Sequence, residues 1–134
     1  MNPPRLGNEE LIKIFEASFL HTAIDDDGDL CVTSDNGLQC YVLGNAEVPL
    51  LKIATLCTLR EDADESSKRA LVDRLNNEVV LARFTLMADS TLAADYFLPF
   101  EFGVEPAQIV SALRWFSRCV VDGIRAFDSE NLVI

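Results

Sequence analysis

Apolar residues recur along this chain in two rhythms, and the second half keeps them most cleanly. From Pro106 to Phe127, the residues Ile109, Leu113, Phe116, Val120, Ile124 and Phe127 recur every three or four positions, which is one stripe on a helix. A helix of about 22 residues spans roughly 33 Å, enough to cross a sheet, and Pro106 suits its first position, where a missing N–H is no loss. Ahead of it, Arg83 to Ala88 alternates with the period of a half-buried strand. Asp89-Ser90-Thr91 turns the chain, Leu92 to Phe100 runs back, and Gly103 ends the run.

The first half reads as a helix, a β region and a second helix. Asn8 suits an N-cap, Glu9 and Glu10 suit the positive helix end, and Leu11, Ile14, Phe15, Ser18 and Phe19 form a face. Ile12 and Leu20 lie off that face, so the helix carries more apolar surface than one packing contact needs. Thr22-Ala23-Ile24 leads into the polar turn Asp25-Asp26-Asp27-Gly28-Asp29, after which Leu30 to Thr33 is a strand. Asn36-Gly37 signals a hairpin. A two-residue turn there sets Leu30 opposite Leu43 and Val32 opposite Tyr41, and Gly44-Asn45 ends the returning strand. Leu50 to Leu59 is the next strand. The acidic run from Glu61 to Glu65 precedes a helix with Leu71, Val72, Leu75 and Val79 on one face, which Asn76 or Asn77 can close in the left-handed conformation. Asp128 to Ile134 is a tail. The expected fold is α+β, in the order α-β-β-β-α-β-β-α, with an antiparallel five-stranded sheet flanked by helices. Residues 1–134 are expected to form a single domain.

Charge narrows the functions. With 22 acidic and 11 basic residues the net charge is −11, which disfavours nucleic acid and anionic membrane surfaces. No apolar run approaches the length of a membrane span or a signal segment, so a cytoplasmic chain is expected. Cys31, Cys40, Cys57 and Cys119 have no C-x-x-C spacing and sit in apolar pattern, so four reduced, mostly buried thiols are expected rather than a metal or redox motif.

Candidate chemistry is sparse. With Gly28 at position six of a calcium loop, Asp25 and Asp27 fall at positions three and five, but Ser34 stands where the closing glutamate belongs. A polar turn is the better account, with calcium binding through Asp25, Asp27 and Asp29 as the alternative. His21, the one histidine, fits a charge near a helix C-terminus. No nucleophile has a neighbouring base, and no glycine-rich phosphate loop is present. No enzyme activity and no cofactor are expected. Two features point to a protein partner instead. Arg114, Arg118 and Arg125 share one side of the long helix, either as a solvated face or to pair with a partner's acids. If Phe84, Leu86, Tyr96 and Leu98 face the core, Met87 and Phe97 face outward beside Arg83 and Asp95. That mixed patch is self-complementary about a two-fold axis, so a homodimer is expected through Arg83, Met87, Asp95 and Phe97.

The chain also resembles a family. The Asp25–Leu30 turn, Leu75-Asn76-Asn77, Ala82-Arg83-Phe84, and Leu92 to Phe100 with the Phe116-containing helix look like a YbjN-domain protein over about residues 9–127. That is a bacterial family labelled as sensory transduction regulators and similar in fold to small acidic type III secretion chaperones. The resemblance implies an antiparallel sheet flanked by helices, dimerisation, and protein binding without family-wide catalytic residues.

Overall fold

A computed structural model describes residues 6–44 and 47–134. Residues 1–5, Asn45 and Ala46 lie outside it, so the Asn45 part of the expected Gly44-Asn45 strand end does too. The elements run α1 (Asn8–Ala17), β1 (His21–Ile24), β2 (Leu30–Thr33), β3 (Gln39–Gly44), β4 (Leu50–Thr58), α2 (Glu65–Glu78), β5 (Arg83–Leu86), β6 (Thr91–Pro99) and α3 (Pro106–Phe127). All strands join one antiparallel sheet in the order β1-β2-β3-β4-β6-β5.

Among the described residues the sheet has six strands rather than the five expected. Thr22-Ala23-Ile24 is not a lead-in but, with His21, a paired strand, Thr22 standing opposite Val32. Four residues are too few to show a convincing alternation, and only pairing with β2 makes them a strand. His21 is therefore the first residue of that strand, and exposed.

Hairpin geometry explains a second correction. The turn at Asn36-Gly37 is a three-residue loop, with Gly37 N–H bonded to Ser34 C=O at 2.9 Å and Ser34 N–H to Leu38 C=O at 2.9 Å. Gly37 takes φ 87°, the left-handed position of such loops. The register is thereby one residue off the two-residue expectation: Leu30 faces Val42 and Val32 faces Cys40. A one-residue shift changes which face a side chain occupies. Cys40 is buried, whereas Cys31 points to the other face and is partly exposed, so the two cannot bridge. The turns at Gly28 (φ 84°) and Ser90 (φ 61°) have the same length and close Asp25 onto Asp29 and Met87 onto Thr91.

Among the described residues, all three helices lie on one side of the sheet. Inward residues Leu30, Val32, Val42, Leu51, Ile53, Leu92 and Leu98 form a core with Leu11 and Phe15 of α1 and Leu113, Phe116 and Val120 of α3. Ser34 Oγ meets Ser117 Oγ at 2.6 Å, pinning the β2–β3 turn to α3. The tail also joins the fold. Leu132 is buried, Arg60 N–H bonds its carbonyl at 2.8 Å, and Ile134 N–H reaches Thr58 C=O at 2.9 Å.

Helix ends differ from expectation at three places. Gly7, not Asn8, is the N-cap of α1, and Asn8 instead donates to Gly28 C=O at 3.1 Å. Phe19 leaves the apolar face and Leu20 enters the core, because α1 stops at Ala17 and Phe19 takes φ 64°. Asn76 and Asn77 remain helical, since α2 continues to Glu78.

All four cysteines are free thiols. Burial, with Cys57 nearby, pushes the Cys40 thiol from 9 up to about 12. The unfolded chain thus releases this proton first as pH rises. Stability is complete below about pH 9 and should fall between about pH 9 and 12, at up to about 1.4 kcal/mol per pH unit for one thiol. Urea titrations across this range should show the fall, and Cys40→Val should flatten it. An unchanged alkaline limb in that variant would refute the assignment. Thiol counting after unfolding should give four.

Candidate protein-binding surface

With every helix on one face, the other face of the sheet is left open, and period-two alternation sets what it presents. Cross-strand neighbours form rows. Leu43, Lys52 and Phe97 make one, and Tyr41, Ala54, Asp95 and Arg83 the next, followed by Leu56 and Ala93 with Thr85. Leu56 is 55% exposed and Phe97 39%, although both lie on the two longest, central strands. Such residues on a central strand are ordinarily covered, which makes this face the main candidate surface.

Its charges are arranged around Phe97. Lys52 Nζ lies 5.8 Å from the ring centroid and the Arg83 guanidinium 5.7 Å from it, so two cations flank one aromatic. Arg83 binds Asp95 through two bonds of 3.0 Å, Nε to Oδ1 and the second to Oδ2. Those bonds hold the Arg83 proton above the usual arginine range. The pair neutralises its own charge and holds Arg83 in place against the ring.

The residues expected to meet a partner do not form one patch. Arg83, Asp95 and Phe97 come together as expected. Met87 instead sits at the β5–β6 turn opposite Thr91, six residues along β6 from Phe97, or roughly 20 Å. It lies beside Glu65, Lys68 and Arg69 of α2. Arg114 and Arg118 belong to α3, on the far side of the molecule. Arg114 there bonds Asp35 Oδ2 at 2.8 Å and Ser18 C=O at 3.1 Å. Leu56 was missed because Leu50 to Leu59 is almost wholly apolar, so its two faces look alike in sequence.

The acidic turn has a structural task. Asp25 Oδ1 accepts from Asp27 N–H at 3.0 Å and Asp29 N–H at 2.8 Å, closing the β1–β2 connection. Carboxylate oxygens of Asp25, Asp27 and Asp29 come within 4.8 Å of one another, and Asp27 is exposed. Among the described residues no other such group of potential metal ligands occurs.

The comparisons with known proteins fit this geometry. A family model described as "Putative bacterial sensory transduction regulator", named YbjN, matches residues 9–129. The chain belongs to the YbjN family. Among solved structures, the YbjN family member from E. coli described as "a putative transcription regulator" aligns with a TM-score of 0.79 at 14% identity, covering 99% of both chains. A HopA1-SchA chaperone-effector complex aligns at 0.54 and 13% identity, over 87% of this chain and 88% of that one. An uncharacterized protein from Methanothermobacter thermautotrophicus aligns at 0.66 and 10% identity, over 93% and 99%. At these identities the structures share the fold of this YbjN-family chain. No curated protein matches its sequence. Among the described residues, no helix is long and apolar enough to cross a membrane.

Proposed function

We propose that this YbjN-family chain is a non-enzymatic, protein-binding regulator or chaperone that works in the cytoplasm as a two-fold homodimer. The observation that carries this reading is the open sheet face, where Leu56 and Phe97 stay exposed on central strands beside a self-neutralised Arg83–Asp95 pair. A two-fold axis near Phe97 would bury this face against its copy with the Arg83 and Asp95 charges already paired, leaving Lys52 as the charge in these rows that needs a partner across the axis. About 800 Å² per chain is the usual requirement for a standard-size interface. Family membership supports the regulatory role. The likeness to a chaperone bound to its effector supports a protein as the partner.

Light scattering of the full chain tests the dimer. A mass of twice 14.9 kDa is expected, and a single-chain mass at about 0.1 mM would overturn it.

The clustering of three carboxylates within 4.8 Å favours one second reading, an acidic calcium-binding regulator. Two of the four sites on the Asp25 carboxylate oxygens are already used by backbone N–H groups. Calorimetric titration should therefore give no calcium binding tighter than about 10 μM, the sensor range. Tighter binding that is lost in Asp27→Asn would reverse the order of the two readings.

A further inference from the structure

The far side of the molecule carries its own anomaly. Helix α1 ends in a Schellman motif, with Leu20 N–H bonded to Phe15 C=O at 3.1 Å and Phe19 N–H to Glu16 C=O at 3.0 Å. The left-handed position in this motif belongs by preference to glycine, which has no Cβ to clash. Here Phe19 holds it at φ 64° and is 97% exposed. The fold gains nothing from that ring, and strain kept at an exposed aromatic directs attention to what it meets.

Beside this corner lies the outer side of α3. Arg114 ties the two together by donating to Ser18 C=O. Next to it is Trp115, the only tryptophan and 51% exposed, with the Arg118 guanidinium stacked 4.8 Å from its ring centroid. Ser18, Val110, Ser111, Arg114, Trp115 and Arg118 line a hollow of about 390 Å³. Trp and Arg at a hollow are the residues in which interface binding energy concentrates.

Charge then selects the occupant. Acids outnumber bases two to one, yet neither Arg118 nor Arg125 forms an ion pair among the described residues. Asp35 is already engaged by Arg114, and Asp122, which lines a neighbouring hollow with Arg118 and Arg125, forms no ion pair with either, so a net positive charge remains on the two arginines. We infer that Phe19, Trp115, Arg118 and Arg125 form a docking surface for an acidic segment of another protein that places one apolar side chain in the hollow. Arginine offers a carboxylate two parallel donors, and stacking on Trp115 fixes Arg118 in advance. A nucleic acid would meet the same arginines, but inside the repulsive field of a chain of charge −11. This surface is separate from the sheet face and does not depend on dimerisation.

The test selects short random peptides displayed against the full chain at low salt, then follows the enriched sequences by Trp115 fluorescence. Enriched peptides should carry several Asp or Glu around one Leu, Phe or Trp. Affinity should fall about tenfold or more in Arg118→Glu and in Phe19→Gly, and severalfold between about 50 and 200 mM salt. Phe19→Gly is the decisive variant. It relieves the strained position, so its melting temperature should be unchanged or higher while binding is lost. Absence of enrichment, enrichment of neutral or basic peptides, or intact binding by both variants would overturn the proposal. So would equal quenching of Trp115 by a single-stranded oligonucleotide. A change of scattering mass in Arg118→Glu would assign the surface to a second copy instead. A single-chain mass for the wild type would remove the dimer reading and leave this one standing.

Discussion

Replacing Asn76 by alanine should lower folding stability by about 1–3 kcal/mol, an effect with no counterpart at its neighbour Asn77. The reason lies at the edge of the sheet. On β5 the ladder bonds to β6 fall at alternate residues, Met87 N–H reaching Thr91 C=O at 2.8 Å, so Phe84 turns its N–H and C=O away from the sheet. Asn76 meets both. Its Oδ1 accepts from Phe84 N–H at 2.8 Å and its Nδ2 donates to Phe84 C=O at 2.9 Å. One side-chain amide thus stands in for a seventh strand and closes an edge that would otherwise invite another chain. Urea denaturation should show a lower midpoint with an unchanged slope. Asn77→Ala should stay within about 0.5 kcal/mol, as an exposed helix position does. A shift of less than about 0.5 kcal/mol in Asn76→Ala would show that water replaces the amide without loss.

The second large effect is expected from Phe97→Glu, which should convert the dimer into a folded monomer. Inside its own chain the new carboxylate would sit between Lys52 and Arg83, two cations that already approach the ring, so the fold should survive. Across a two-fold axis it would remove an aromatic anchor and set two carboxylates near each other. A loss of about 2–4 kcal/mol of association energy follows from the usual worth of such an anchor, roughly 30- to 800-fold in the dissociation constant. Light scattering and circular dichroism read the two halves of this prediction. A folded variant that keeps the wild-type mass would exclude the sheet face as the interface.

How far the fold could be read in advance depended on the length of each pattern. The 22-residue α3 keeps its apolar stripe for six turns, and its start at Pro106 and end at Phe127 are those read from the spacing. The four residues of β1 carry no comparable signal, and the strand exists because β2 is there to pair with it. The β2–β3 register depended on one loop residue, since Asn36-Gly37 serves a two-residue and a three-residue turn equally well in sequence. The exposed face followed the same rule. Arg83, Asp95 and Phe97 were found together because the β5–β6 alternation is clean. Leu56 was hidden in a strand apolar on both faces, and Phe19 by a helix end two residues earlier than its stripe suggested. The Asn76 bonds join residues eight apart through a side chain, which no periodicity encodes.

The strand order β1-β2-β3-β4-β6-β5 has a consequence in time. Strands β1 to β4 form a meander of neighbours, each pairing with the strand just made. The central pairing of β4 with β6 instead joins residues between 33 apart (Thr58 to Thr91) and 49 apart (Leu50 to Pro99). Closing that loop costs chain entropy before any contact is gained, so the meander should form early and the centre of the sheet late. During synthesis, the first four strands leave the ribosome with the apolar β4 as a bare edge, until α2, β5 and β6 have been made. The protein's greatest exposure to aggregation therefore falls within its own translation, in the interval that ends when β6 arrives.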